Sequence, residues 1–313
     1  MLQHIVVTRL ARAANSRQAF NELTYRLIPL AEHAFSLRDA NALQGVSQIL
    51  MNLPIADARQ IGQYYQALAI SRNTRTDEAL SLLEAVAENA PRAYRARAIQ
   101  TLGSIYHRQG RLDEALRLYP KAMQAASSEN KCDLLTMLLA YLEIACIKSK
   151  RGDHREALAD YEHLSPLVRL VAKQNPLYFY FYHNELAVEF AELGRIAEAQ
   201  AACAIALASP FAPAYPEWSE TRDEIAAKRV NATSSVVAIN RAPQAEPSRD
   251  IEPELKPVPS KPVAFSRHVL KPGSFQRSTI PIAASRAIAN IGIRSILDRV
   301  LRCIAPRAPP PLF

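Results

Sequence analysis

The sequence predicts an all-α protein assembled from helix pairs, and three observations carry that expectation. Glycine is scarce, 8 in 313 residues, and alanine-rich segments dominate, a composition that favours helix over sheet. A small residue recurs at Ala42, Ala79, Ala115, Ala157 and Ala199, with separations of 37, 36, 42 and 42 residues. Gly110, Gly152 and Gly194 each precede a short polar stretch and then a Glu-Ala pair. A glycine there allows the left-handed conformation that ends one helix and turns the chain, and the glutamate then suits the positive end of the next helix.

Taken in order, residues 2–20 alternate basic and apolar residues at helical spacing, and Asn15 or Ser16 can cap a helix beginning near Arg17. The first unit is faint: Leu30, Ala34, Ala42, Val46, Ile49 and a closing Pro54. The second reads Tyr64, Ala67, Ile70, then Ala79, Leu83, Val86 and Pro91. The third is the clearest. It runs Ile99-x-x-Leu102-Gly103-x-x-Tyr106, then Gly110, then Ala115-x-x-x-Tyr119-x-x-Ala122. Gly103 and Ala115 are expected where the two helices cross, with Leu102, Tyr106, Tyr119 and Ala122 filling the seam. The fourth unit repeats this with Tyr141, Ile144, Ala145, Ala157, Tyr161 and Leu164, and the fifth with Leu186, Ala187, Phe190, Ala199, Cys203 and Ala206.

This pattern resembles the tetratricopeptide repeat (TPR), with Ile99 and Tyr119 in place of its Trp and Phe. The spacing of 42 resembles the longer-helix subtype of kinesin light chains and bacterial peptide-sensing regulators. The resemblance covers roughly 23–211 and implies a right-handed α-solenoid over 1–229. Its helix pairs are expected near 23–54, 60–91, 96–128, 138–171 and 180–211. A helix at 217–229 would cover the last repeat with Trp218, Ile225 and Ala226, because each repeat buries its face only against a neighbour.

Beyond that the composition changes. Residues 230–313 carry 12 Lys and Arg against 5 Asp and Glu, so a net +7 of the overall +8 sits there and the body is near neutral. Prolines from Pro243 to Pro272 predict a disordered linker over 230–277. A basic amphipathic helix follows over 278–305, with Ile293, Ile296, Leu297, Val300, Leu301 and Ile304 on one face and arginines on the other; a Pro-rich end occupies 306–313. Three settings suit such a helix: an anionic membrane surface, a partner's groove or this protein's own, and the side of the solenoid.

No phosphate loop, HExxH or GxSxG motif is present, and the histidines lack ligand spacing. The glutamates read mostly as repeat punctuation or solvent-facing residues. The expectation is therefore a protein that is not an enzyme and takes no cofactor, metal or small-molecule substrate. The basic linker has no aromatic platform for specific nucleic-acid binding. Four dispersed cysteines without CxxC, no apolar run of transmembrane length, and only Ile5-Val6-Val7 before Arg9 point to a reducing, cytoplasmic setting.

The expected function is that of a scaffold or adaptor binding a peptide or amphipathic helix of another protein. The resemblance implies that the first helix of each repeat lines a concave groove. That groove would carry Tyr64 and Leu68, then Arg97, Gln100, Ser104, His107 and Arg108. Leu139, Leu142 and Cys146 would follow, then Phe181, Asn184 and Val188. Asn184 resembles the groove asparagines of the kinesin-light-chain subtype, whose amide both donates to and accepts from a peptide backbone. A chaperone-type carboxylate clamp is not expected, since only Arg97 and Arg108 are cationic there. In the run Tyr178-Phe179-Tyr180-Phe181-Tyr182 most rings are expected to pack, with Phe181 foremost as a groove anchor.

Overall fold

A computed structural model describes residues 17–71, 76–127 and 132–240, with side chains as far as Val230. Among the described residues there are eleven α-helices, one 3-10 turn and no strand. The helices are α1 (Arg17–Ser36), α2 (Ala40–Met51), α3 (Ala56–Ile70), α4 (Thr76–Asn89), α5 (Arg92–Arg108) and α6 (Leu112–Ala126). They continue as α7 (Leu134–Lys150), α8 (His154–Ala172), α9 (Leu177–Glu192), α10 (Ile196–Leu207) and α11 (Glu217–Asn240), with the 3-10 turn at Ala212–Ala214 between the last two.

Each helix packs mainly on its sequence neighbours, and odd-numbered helices also touch the next odd one, which is the layout of an α-solenoid. One apolar cluster joins α1 through α5 and a second joins α5 through α11, so α5 contributes to both. Gly103 meets Tyr119 so closely that a Cβ would lie 2.7 Å from the ring, and Ala115 and Ala122 are fully buried beside it. Gly62 marks a second close approach: a Cβ there would lie 2.8 Å from the Ser47 carbonyl and the Met51 backbone nitrogen.

Several helices start earlier than the repeat pattern predicts. Pro91 and Pro176 occupy the N-cap positions of α5 and α9, and the Asp133 carboxylate caps α7 by accepting from the Thr136 backbone N–H. These caps pull each start three or four residues upstream of 96, 138 and 180. At the other end, α11 continues to Asn240, past the expected boundary at 229. Its first described proline-free stretch, Glu217 onward, contains nothing that breaks a helix before Pro243. The rest of the linker, the helix expected over 278–305 with its apolar face, the end at 306–313 and residues 1–16 lie outside the described residues.

The register of the first unit also differs by one residue. At Ala115, Ala157 and Ala199 the backbone N–H reaches back to Arg111, Asp153 and Arg195; in the first unit it is Leu43 that reaches back to Asp39. Leu43 is buried, whereas Ala42 is exposed. The residue five positions before Leu43 is Arg38, which stands where the third, fourth and fifth units have Gly110, Gly152 and Gly194. Arg38 has φ +55°, alongside +78°, +90° and +74° for the three glycines. The hydrogen bonds match as well: Asp39 N–H to the Ala34 carbonyl at 2.9 Å repeats Asp153 N–H to Lys148 at 3.1 Å. A left-handed arginine costs about 1–2 kcal/mol relative to glycine, so something else must hold it.

Candidate interaction surface

The odd-numbered helices turn a shared face inward. Its first part is a polar and aromatic cluster. Glu32 of α1 accepts from Arg97 of α5 and from the Tyr65 hydroxyl of α3, each at 2.8 Å. Arg97 also donates to Asp133 at 3.1 Å, so one guanidinium ties the first unit to the third and the third to the fourth. Burial works against the charge of Arg97, yet the carboxylates of Asp133 and Glu32 outweigh it and raise its pKa well above the ordinary value. Tyr64, Tyr65 and Tyr94 stand edge-to-face around it, with centroids 5.3–6.1 Å apart. The Tyr178 hydroxyl of α9 is raised well above its usual pKa first by burial, then by Glu32, Tyr64 and Tyr215. A residue of the fifth unit thus shares its surroundings with the first.

Further along, Gln100 donates to Ser104 at 2.9 Å, and Ser104 donates to Glu143 of the next unit at 2.7 Å. His107 Nδ1 lies 2.6 Å from Glu143, and its Nε2 lies 2.7 Å from Lys150 Nζ. Burial pushes the Glu143 carboxyl upward, but the hydrogen bonds and charge of His107, the Ser104 hydroxyl and Lys150 prevail and hold it at about 2. In the following unit Glu189, fully buried, accepts from Ser149 and lies 2.8 Å from His154 Nδ1. These glutamates join successive units, and so are exceptions to the reading of most glutamates as repeat punctuation or solvent-facing residues.

A pH dependence follows. The ordinary carboxyl value is 4.5 and the folded value about 2, so the stabilisation from Glu143 is complete above 4.5 and is lost as pH falls toward 2. At 1.36 kcal/mol per pH unit this is worth roughly 3 kcal/mol. The gap in urea midpoint between the native chain and Glu143→Gln should therefore close as pH drops from about 6 to about 2.5. A gap independent of pH would assign the effect of the substitution to packing.

The residues expected in the groove are distributed as follows. Tyr64, Gln100, His107, Leu142 and Asn184 are buried; Leu68, Arg97, Ser104, Leu139, Phe181 and Val188 are half-buried; Arg108 is exposed and donates to the Ser71 carbonyl at 3.2 Å. Arg97, Gln100, Ser104 and His107 are thus already engaged within the protein. Asn184 is different: its Oδ1 is buried and accepts no hydrogen bond from any described residue. In the aromatic run, Tyr178 and Tyr182 are buried, and Phe181 packs edge-on against Tyr215 and Trp218 at 5.3 and 5.7 Å. Tyr215 and Trp218 stack at 4.7 Å.

Sequence reasoning missed a contact between the two ends of the solenoid. The Tyr215 hydroxyl donates to the Ser36 carbonyl at 3.1 Å. Arg38 donates through both terminal nitrogens to the Glu217 carboxylate, one at 3.0 Å, and its guanidinium lies 4.0 Å over the Tyr215 ring. These residues are 179 apart in sequence. The row of units is therefore closed, and the cost of the left-handed Arg38 is set against this grip.

An array of stacked helix pairs with an inward face defines the class: a helical repeat protein. Residues 94–169, spanning the third and fourth units, match the tetratricopeptide repeat family. With the consecutive antiparallel pairs on either side, the chain is a TPR-type repeat protein. No curated protein and no solved structure matches it significantly. Repeats of this family generally mediate protein–protein interaction and are typically non-enzymatic. Among the described residues no helix is long and apolar enough to cross a membrane.

Proposed function

We propose that this protein is a non-enzymatic interaction module that holds a peptide or helical segment of a partner protein on the inward face of its odd-numbered helices, with Asn184 and Phe181 at the centre. The observation that carries this is the buried Asn184 amide oxygen, which accepts no hydrogen bond from any described residue. Buried polar groups are nearly always paired, and an unpaired one calls for an explanation. A backbone N–H of a bound segment supplies one, and the neighbouring half-buried Phe181 gives that segment an aromatic contact. The polar cluster around Arg97 sets the spacing of the units rather than offering free groups.

The test is capture of partners from the host lysate, followed by titration of a purified partner. Asn184→Ala is expected to weaken binding about tenfold or more, since it removes a buried hydrogen bond worth ~1.5 kcal/mol or above. Helicity should be retained. Affinity unchanged in Asn184→Ala and in Phe181→Ala would move the binding surface elsewhere.

A further inference from the structure

The contact between the ends carries an inference about what the partner brings. Arg38 presents a forked guanidinium, seated over Tyr215 and paired with Glu217, in a left-handed turn where the third, fourth and fifth units have glycine. Its side chain is 29% exposed and that of Glu217 is 21% exposed. The pair is thus partly shielded but can still be reached from solvent. Phe181 touches both Tyr215 and Trp218, so this grip abuts the inward face. A planar guanidinium over a ring is suited to carboxylate recognition, and Glu217 is the chain's own carboxylate in that seat. We propose that Arg38 and Tyr215 form a carboxylate-binding site which the chain fills with Glu217, and that an acidic segment of a partner opens the ring by taking the place of Glu217. This rests on the inward-face reading above. The site lies at the turn of the first unit and the start of α11, not among the groove positions of the third to fifth units.

Trp218 is the single tryptophan of the chain, fully buried and stacked on Tyr215, so its fluorescence reports on this place. The experiment uses the full chain and compares quenching by neutral acrylamide, anionic iodide and cationic caesium. In Glu217→Ala, all quenching should rise, and iodide should outpace caesium by about twofold or more because Arg38 is left unpaired. In Arg38→Gly, which suits the left-handed turn, acrylamide quenching should rise without a preference for iodide. Far-UV circular dichroism should show helicity retained in both.

The second arm uses a labelled dodecapeptide alternating glutamate with apolar residues, and its glutamine counterpart. Glu217→Ala should bind the acidic peptide about tenfold tighter than the native chain, since the internal competitor is gone. Arg38→Gly should not bind it, and the glutamine peptide should bind none of the variants. The proposal is overturned if Glu217→Ala lacks the iodide preference, if it fails to bind the acidic peptide, or if binding ignores Arg38. Adding Asn184→Ala to Glu217→Ala separates the two readings. Acid-dependent binding that survives it retires the role of Asn184 and leaves the carboxylate site standing.

Discussion

Trp218→Ala is expected to lower the unfolding free energy by about 3–5 kcal/mol, in the range of large aromatic truncations in cores. Trp218 is fully buried, stacks on Tyr215, and shares a cluster with Leu177 of α9 and Ala206 of α10. It is the piece through which α11 covers the last repeat, so removing it leaves a cavity and uncovers the end of the stack. In a body of this size the loss corresponds to roughly 6–20 °C in melting temperature, read by circular dichroism. The indole N–H has no hydrogen-bond partner among the described residues. Trp218→Phe should therefore cost far less, about 1–2 kcal/mol. Equal losses in the two variants would mean that an interaction specific to the indole, not the volume it fills, sets the effect.

Arg97→Met is the second large expectation. The methionine keeps most of the side-chain volume but leaves Glu32 and Asp133 facing each other without their shared cation. Breaking a fully buried pair costs 3–5 kcal/mol; with the Arg97 and Glu32 side chains 20% and 25% exposed, solvent screening reduces this to about 2–3 kcal/mol. Adding Glu32→Gln should recover part of the loss, because one unpaired charge disappears while the Tyr65 hydroxyl still has an acceptor. The test is a double-mutant cycle by urea unfolding. Additive losses in the double variant would show that Arg97 and Glu32 do not act together.

Much of the architecture was legible because it rests on local rules. The left-handed glycines at 110, 152 and 194, the Glu-Ala starts and the close approach at Gly103 all act within one unit, and short-range spacing records them. Helix starts were misplaced where a proline or Asp133 caps upstream, since a cap is a single residue against a long apolar pattern. The first unit was read one residue out of register because its turn carries Arg38 in place of glycine. That substitution was itself the available signal: a long cationic side chain in a glycine position asks what it holds. Its partners, Tyr215 and Glu217, could not be found from spacing, because their meeting depends on the curvature summed over all five units. The glutamates at 143 and 189 were hidden for a related reason. Their partners sit in the preceding unit, on a face whose burial only the stacked array creates.

A linear array of repeats has two loose ends, and each terminal unit opens without consulting the other, since every unit leans only on its neighbours. The grip of Arg38 and Tyr215 on the opposite end changes that connectivity from an open row to a circuit. Fraying of α1 then removes a support from α11, and the reverse holds equally, so the two termini share one opening equilibrium. Such a body trades the graded, end-first melting of an open row for unfolding in fewer and larger steps. Its ends should exchange their amide hydrogens at matched rates rather than independently.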